Sequence, residues 1–289
     1  MSHCKLKISF FLFFLLFSCG FFGLNSPVEA AVKQPAKKVS VKFNPAKIST
    51  YFLANEEGKC LKSKESVKAV PIASLTKLMT ALVFMENRVK EWDETIVYNP
   101  NDHYVYANYL KFKKGDVVKV KDLLYGMLVA SVNEPPRMLV DATNLSLKDF
   151  VVKMNAKAQR LGMENTIYVD PSGISPKNVS TSADQAKILA EVYQYSELRE
   201  VLDTTTYNFD VIGKTGKVVH HHIKHTNSLI GKTDFSILSS KTGYLDEAKN
   251  CLAMVIQKNG RIYYVVTLGD PSRYRDFGNT EYLVQKSIF

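Results

Sequence analysis

Ser74 and Lys77 stand three positions apart in Pro71-Ile72-Ala73-Ser74-Leu75-Thr76-Lys77-Leu78-Met79-Thr80. On a helix this spacing puts both side chains on one face, close enough to interact. A serine hydroxyl is a weak nucleophile until a neighbour takes its proton, and a desolvated lysine can do that. A helix starting at Ser74 would also surround the hydroxyl with orphan N–H groups and the positive end of its dipole. The competing reading is structural: Ser74 caps a helix and Lys77 is a solvated first-turn charge. The spacing alone favours that second reading, and Ser2 and Lys5 repeat it without meaning.

Two further patterns carry polar chemistry. Ser131-Val132-Asn133 is the only S-x-N in the chain and lies just past a helical pattern at 120–129. Lys241-Thr242-Gly243 follows an expected strand at 235–240. A strand-borne lysine, a hydroxyl and a glycine that admits close backbone approach make a carboxylate-binding edge. Lys214-Thr215-Gly216 repeats the triplet, but Lys217 follows it and a hairpin turn is expected there. Neither Gly213-Lys214-Thr215 nor Gly231-Lys232-Thr233 is a phosphate-binding loop, because Asn208 and Thr226 stand where the first glycine is required. His220, His221, His222 and His225 suggest a metal, yet adjacent histidines alternate faces on a strand and acid ligands do not accompany them, so no metal is expected. The tyrosines at 98–109 are read as packing in preference to a sugar platform.

The elements that must position these groups follow from periodicity. Leu78, Leu82, Val83 and Met85 form a 3.6-residue stripe after Lys77. Helical patterns cover 120–129, 147–161 (stopped by Gly162) and 182–195, with a last helix at 280–288. Strands are expected at 48–54 and 59–63 around a turn relieved by Gly58, and at 251–257 and 261–268 around Asn259-Gly260. Residues 204–219 read as β-rich hairpins. Strands at both chain ends with helices between them point to one sheet completed by the two termini.

The 289 residues carry a net charge of +10, which suits an anionic wall polymer or membrane surface. No nucleic-acid module is recognisable, and nucleic acid is not an expected partner. Residues 1–30 read as a secretory leader: Lys5 and Lys7 precede an apolar run at 8–24, and Val28 and Ala30 are small residues at the positions a signal peptidase reads. The run is long enough for a retained anchor to be the rival. Export follows either way, with action at the cell wall or the outer face of the cytoplasmic membrane. Residues 31–45, with four lysines and two prolines, read as a basic linker. Beyond the leader only Cys60 and Cys251 remain, and two free thiols buried in strands are expected.

In order and spacing, S-x-x-K, S-x-N and K-T-G resemble the penicillin-recognising serine peptidases and β-lactamases. The context of Ser74, together with Asp122-Leu123-Leu124-Tyr125-Gly126-Met127-Leu128, Met154-Asn155-Ala156-Lys157-Ala158, Asn227-Ser228-Leu229 and Lys241-Thr242-Gly243-Tyr244, is similar to the D-alanyl-D-alanine carboxypeptidase family (low-molecular-mass penicillin-binding proteins) over residues 46–289. The resemblance implies an α+β fold of the β-lactamase/D,D-peptidase type. Its mainly antiparallel sheet would be built from both chain ends and flanked by helices, with a helical insert around 80–200. It implies a serine D,D-carboxypeptidase acting on peptidoglycan stem peptides as a monomer, without cofactor, and inhibited by β-lactams. Ser74 would be acylated, Lys77 its general base and Ser131 a proton relay. Asn133 would hold the substrate backbone, and Lys241 and Thr242 its terminal carboxylate. Gly243 would admit the substrate, and the backbone N–H groups of Ser74 and Tyr244 would form the oxyanion hole. Arg275 resembles a family arginine near that carboxylate, a solvated surface arginine being the alternative.

Two departures stand out. The family's S-G-N-D-A-A is here Ser131-Val132-Asn133-Glu134-Pro135-Pro136, and an expected Ala-Gly-Tyr is Ala248-Lys249-Asn250. Glu164 lies where class A β-lactamases keep a deacylating glutamate, but it reads as part of a helix end and turn. The rival functions are a D,D-endopeptidase, a β-lactamase on the same fold, and an inactive wall-binding relative.

Overall fold

The structure, a computed structural model, describes residues 43–107, 109–272 and 277–288. The leader, most of the basic linker and Arg275 lie outside them. The chain opens with the hairpin β1 (Thr50–Asn55) and β2 (Cys60–Lys64). Short β3 (Val70–Pro71) leads through a 3-10 turn, Ala73–Leu75, into α1 (Thr76–Asn87). There follow β4 (Thr95–Val97), α2 (Pro100–His103), β5 (Val117–Lys119), α3 (Val120–Leu128), α4 (Pro135–Val140) and α5 (Leu147–Arg160). The Ser146 hydroxyl caps α5 by accepting from the Asp149 N–H at 3.1 Å, and Gly162, at φ +65°, ends it. β6 (Val179–Ser180), α6 (Ser182–Val192) and α7 (Ser196–Asp203) precede β7 (Thr206–Ile212), β8 (Val218–Lys224), β9 (Ser236–Leu245), β10 (Lys249–Lys258), β11 (Arg261–Asp270) and α8 (Gly278–Ile288).

One five-stranded sheet, ordered β2-β1-β11-β10-β9, is antiparallel throughout. The first strand therefore pairs with the last, Thr50 opposite Leu268. The tight turn between β10 and β11 uses Asn259 and Gly260, both at positive φ, as a primed turn demands. Side chains alternate along β10: Leu252, Met254 and Ile256 join the core beneath α8, while Cys251, Ala253 and Val255 join the larger core beneath the helices. The sheet is thus covered on both faces, with α8 on one side and α1 and α6 on the other.

Several expectations are corrected. α1 has no apolar stripe, because its residues 76–84 are all buried and it forms the centre of the helical layer. The helix begins after Ser74, which sits in the 3-10 turn. The inserted region is not only helical: β4, β5, β7 and β8 build a second sheet in that order. α7 is a separate helix, where one helix to 195 was expected. Cys60 is exposed, since β2 is an edge strand; only Cys251 is buried, and burial pushes its thiol up to about 12. The expected linker reaches 45, yet Asn44 already joins the folded unit, its N–H donating to Asn279 Oδ1 at 2.7 Å.

Candidate active site

Four chain segments meet at one end of α1. Ser74 is held in the 3-10 turn by its neighbours: the Leu75 N–H donates to Ile72 O, and the Thr76 N–H to Ala73 O and Ser74 O. Ala73 takes φ +48°, a left-handed geometry uncommon for a residue with a side chain. The turn is clamped between two glycines. A Cβ on Gly173 would lie 2.2 Å from Ala73 O, and one on Gly243 would lie 2.9 Å from Ile72 O and 3.0 Å from Ser74 N. Only glycine lets both segments come this close.

One turn further along, Lys77 is fully buried. Its Nζ lies 2.8 Å from Ser74 Oγ, 2.9 Å from Asn133 Oδ1 and 2.6 Å from Ser172 O. Burial pushes the ammonium down to about 7, against the opposing fields of Asp170 and then Glu134. A neutral amine has two N–H bonds and one lone pair. Asn133 Oδ1 and Ser172 O are both acceptors and take the two N–H bonds, so the lone pair is left for the Ser74 hydroxyl proton.

Ser131 follows α3 at φ +61°. Its Oγ accepts from Lys241 Nζ at 2.8 Å, and the same Nζ donates to Thr242 O at 2.8 Å. Lys241 is fully buried in β9, the sheet edge. The Thr242 and Thr226 hydroxyls are 2.6 Å apart. Ser74, Ser131, Asn133, Thr242, Gly243 and Tyr244 line one cleft of about 230 Å³. The three motifs thus converge. Arg275 lies outside the described residues.

Sequence reasoning missed two parts of this site. The first is the loop at 170–175. Asp170 Oδ1 accepts from the Ser172 and Gly173 N–H groups, and Oδ2 from the Ser175 N–H and Asn178 Nδ2. This folds the loop so that Ser172 O meets Lys77, the Ser172 hydroxyl donates to Asn133 O at 2.9 Å, and Pro171 O accepts from Thr80 at 2.6 Å. The signal in the sequence was Asp170-Pro171-Ser172-Gly173, a turn composition. The second is Glu134, fully buried at the head of α4, with neither carboxylate oxygen in a well-formed hydrogen bond. Burial raises its pKa to about 7 against the Lys77 charge. Pro135 and Pro136 occupy the first turn of α4, where their missing N–H groups cost nothing.

The features set aside fall as follows. Lys214 is exposed on the turn between β7 and β8, as expected. Glu164 is exposed beyond α5 and does not line the cleft. His220, contrary to expectation, does have an acid beside it, Asp210 at 2.6 Å, but no group of three or more candidate metal ligands gathers among the described residues. The tyrosines divide: Tyr98 is buried, whereas Tyr104, Tyr106 and Tyr109 are exposed, so packing accounts for only the first. Tyr106 stands at the cleft mouth.

Comparison with known proteins bears on this geometry. The profile of the D-alanyl-D-alanine carboxypeptidase family matches residues 41–272. A D-alanyl-D-alanine endopeptidase of Pseudomonas aeruginosa is 31% identical, covering 89% of this chain and 83% of that protein. A D-alanyl-D-alanine carboxypeptidase of Bacillus subtilis is 30% identical, covering 86% of this chain and 64% of that one. Among solved structures, a Streptomyces DD-transpeptidase superposes with a TM-score of 0.72 at 26% identity, over 83% of this chain and 95% of its own. A penicillin-binding protein from Listeria monocytogenes in its cefotaxime-bound form gives 0.68 at 26%, over 84% and 98%.

Proposed function

The chain belongs to the D-alanyl-D-alanine carboxypeptidase family of serine peptidases, and on that premise we propose that Ser74 removes the terminal D-alanine of a peptidoglycan stem peptide through an acyl-enzyme. The observation that carries the reading is the Lys77 amine, buried, lowered to about 7 and spending both N–H bonds on Asn133 and Ser172. Its lone pair takes the Ser74 proton as Oγ bonds to the carbonyl carbon of the penultimate D-alanine. The oxyanion forms between the Ser74 and Tyr244 N–H groups. The C–N bond breaks, and Ser131, oriented by Lys241, passes a proton to the departing amine. Water then cleaves the ester and restores Ser74.

The substrate backbone runs along the open edge of β9, where strand addition supplies main-chain hydrogen bonds. Lys241 gives positive potential, and the Thr242 hydroxyl binds the terminal carboxylate. The same groups would take the carboxylate of a β-lactam, making such compounds acylating inhibitors. With Glu164 outside the cleft and no acidic side chain among the described residues that line it, the penicilloyl ester should persist. Stem peptides lie outside the cytoplasmic membrane, and we place the activity there, reached by the leader at 1–30. Among the described residues no helix is long and apolar enough to cross a membrane.

Release of D-alanine from a pentapeptide ending in D-Ala-D-Ala tests the reading. The wild-type chain should release it and Ser74→Ala should not, while the variant keeps its fold, since the Ser74 hydroxyl makes no side-chain cap bond to α1, which begins after it. Equal release by both would mean that the nucleophile lies elsewhere. No release by the wild type would favour an inactive wall-binding relative.

A further inference from the structure

Asn133 meets Lys77 with its amide oxygen, Oδ1 lying 2.9 Å from Nζ. An asparagine amide is nearly symmetric in shape, and half a rotation would present its NH2 group instead. The turned amide would donate to the single lone pair of a neutral Lys77, the pair that takes the Ser74 proton, and the base would be spent. A neutral Lys77 cannot impose the useful orientation itself, because an amine accepts as well as donates. The choice falls to whatever faces the other end of the amide.

A backbone carbonyl stands there. Asn133 Nδ2 donates to Tyr106 O at 3.4 Å. The bond is long, yet its sign is definite, since a turned amide would set oxygen against oxygen. Packing does little to hold this carbonyl: Tyr104, Tyr106 and Ala107 are exposed, and only Val105 among them is buried. α4 holds it through polar contacts. Arg137 Nη1 donates to Tyr104 O at 3.1 Å and reaches Asp102 O at 3.5 Å. At the far end of α4, Asp141 Oδ2 lies 2.9 Å from Nε2 of the buried His103, whose Nδ1 accepts from the Asn99 N–H at 3.0 Å. Arg137 Nε is buried without a partner, and Glu134, three residues before it, has neither carboxylate oxygen in a well-formed hydrogen bond. A guanidinium kept at that cost beside an unpaired carboxylate is placed for the carbonyls it does bind.

We propose that Arg137 is a positioning residue for acylation: by holding Tyr104 it sets the Tyr106 carbonyl against Asn133, and so keeps Asn133 Oδ1 turned toward Lys77. The inference rests on the Ser74 acyl-enzyme proposed above. Arg137 touches neither Ser74 nor the substrate. It acts at two removes, through the backbone at 104–106 and then through Asn133, and what it protects is the Lys77 lone pair. The protection is needed only while Lys77 is neutral. An ammonium has N–H bonds alone to offer, and it holds Oδ1 without help.

The test is the pH profile of benzylpenicillin acylation, measured on the full chain. Arg137→Met keeps the apolar stem and removes the donors, whereas Arg137→Lys keeps a donor for Tyr104 O. The residue is half-buried, so neither change empties the core. At about pH 5.5, where Lys77 is an ammonium, Arg137→Met should acylate within about two-fold of wild type. As Lys77 loses its proton the amide is free to turn, and by about pH 8.5 the variant should be about ten-fold slower, its midpoint about one pH unit lower. Asp170 and Glu134, the charged groups that act on Lys77, are the same in both proteins. Arg137→Lys should follow the wild-type profile within about three-fold. Three results would overturn the role of Arg137 alone: an Arg137→Met variant as fast as wild type at about pH 8.5, a loss of equal size at every pH, as a general loosening of the fold would give, or an Arg137→Lys variant no faster than Arg137→Met. A wild type that penicillin acylates at no pH would instead overturn the acyl-enzyme reading beneath it.

Discussion

At the scale of single residues, the site holds two buried groups whose pKa values are driven toward each other. Lys77 is lowered to about 7 by burial, and Glu134 is raised to about 7 by the same cause. In the proposed mechanism only the neutral amine accepts the Ser74 proton, so the second-order rate of penicillin acylation should rise with pH through a midpoint near 7; a rate independent of pH between 5.5 and 8.5 would contradict this. The signs for stability differ. With Lys77 depressed, the unfolded chain binds more protons between about 7 and 10.5, so this group's contribution grows as pH rises through that window. With Glu134 raised, the folded chain binds more protons between 4.5 and about 7, and its contribution falls as pH rises there. Glu134→Gln should remove that falling limb and, by deleting a carboxylate that holds the Lys77 pKa up, move the acylation midpoint to lower pH. An unmoved or raised midpoint would show that Glu134 does not act on Lys77. The sequence made Ser74 and Lys77 legible through spacing, but Glu134 stood out only as an odd residue after Asn133. Its role depends on burial and direction, which spacing does not encode.

At the scale of elements, position in the fold separates identical motifs. Lys214-Thr215-Gly216 caps an exposed turn, while Lys241-Thr242-Gly243 lies in the edge strand β9 against the Ser74 turn. Lys241→Ala should lose most acylation and Lys214→Ala none, as followed with a fluorescent penicillin; the reverse ranking would sink this account of β9. The Asp170 loop packs so closely on the same turn that Gly173→Ala forces backbone apart. Unfolding in denaturant should show a loss on the order of 2 kcal/mol, together with slowed acylation. A fully stable, active Gly173→Ala would mean the close approach is not needed. Elements with strong local signals were readable: α3 and α5 from their apolar period, α5 also from Gly162, and the β10–β11 turn from Asn259-Gly260. β4 and β5 have three residues each, too few to show alternation, so the second sheet stayed hidden. α1 was read as a stripe because periodicity reports amphipathic helices, and a helix buried all round has none.

For the molecule as a whole, the site exists only when distant parts of the chain are folded together. Residues 74–77, 131–134, 170–174 and 241–244 come from the start of α1, the α3–α4 turn, a loop and the last part of the sheet. The antiparallel sheet joining both ends was legible from strand patterns at the termini, and the order of the three motifs placed most of the cleft. What was not legible is how the pieces touch: the Asp170 loop bridging Lys77 to Asn133, and the segment at 102–106 held by α4, arise from contacts between segments remote in sequence. The central claim is that this assembly turns Ser74 into an acyl-forming nucleophile. Mass spectrometry of the full chain after benzylpenicillin tests it most directly, first on the intact protein and then on its peptides. The account predicts a single penicilloyl adduct, carried on Ser74 and absent from Ser74→Ala. A folded wild-type chain that takes up no adduct, or carries it on another residue, would contradict it.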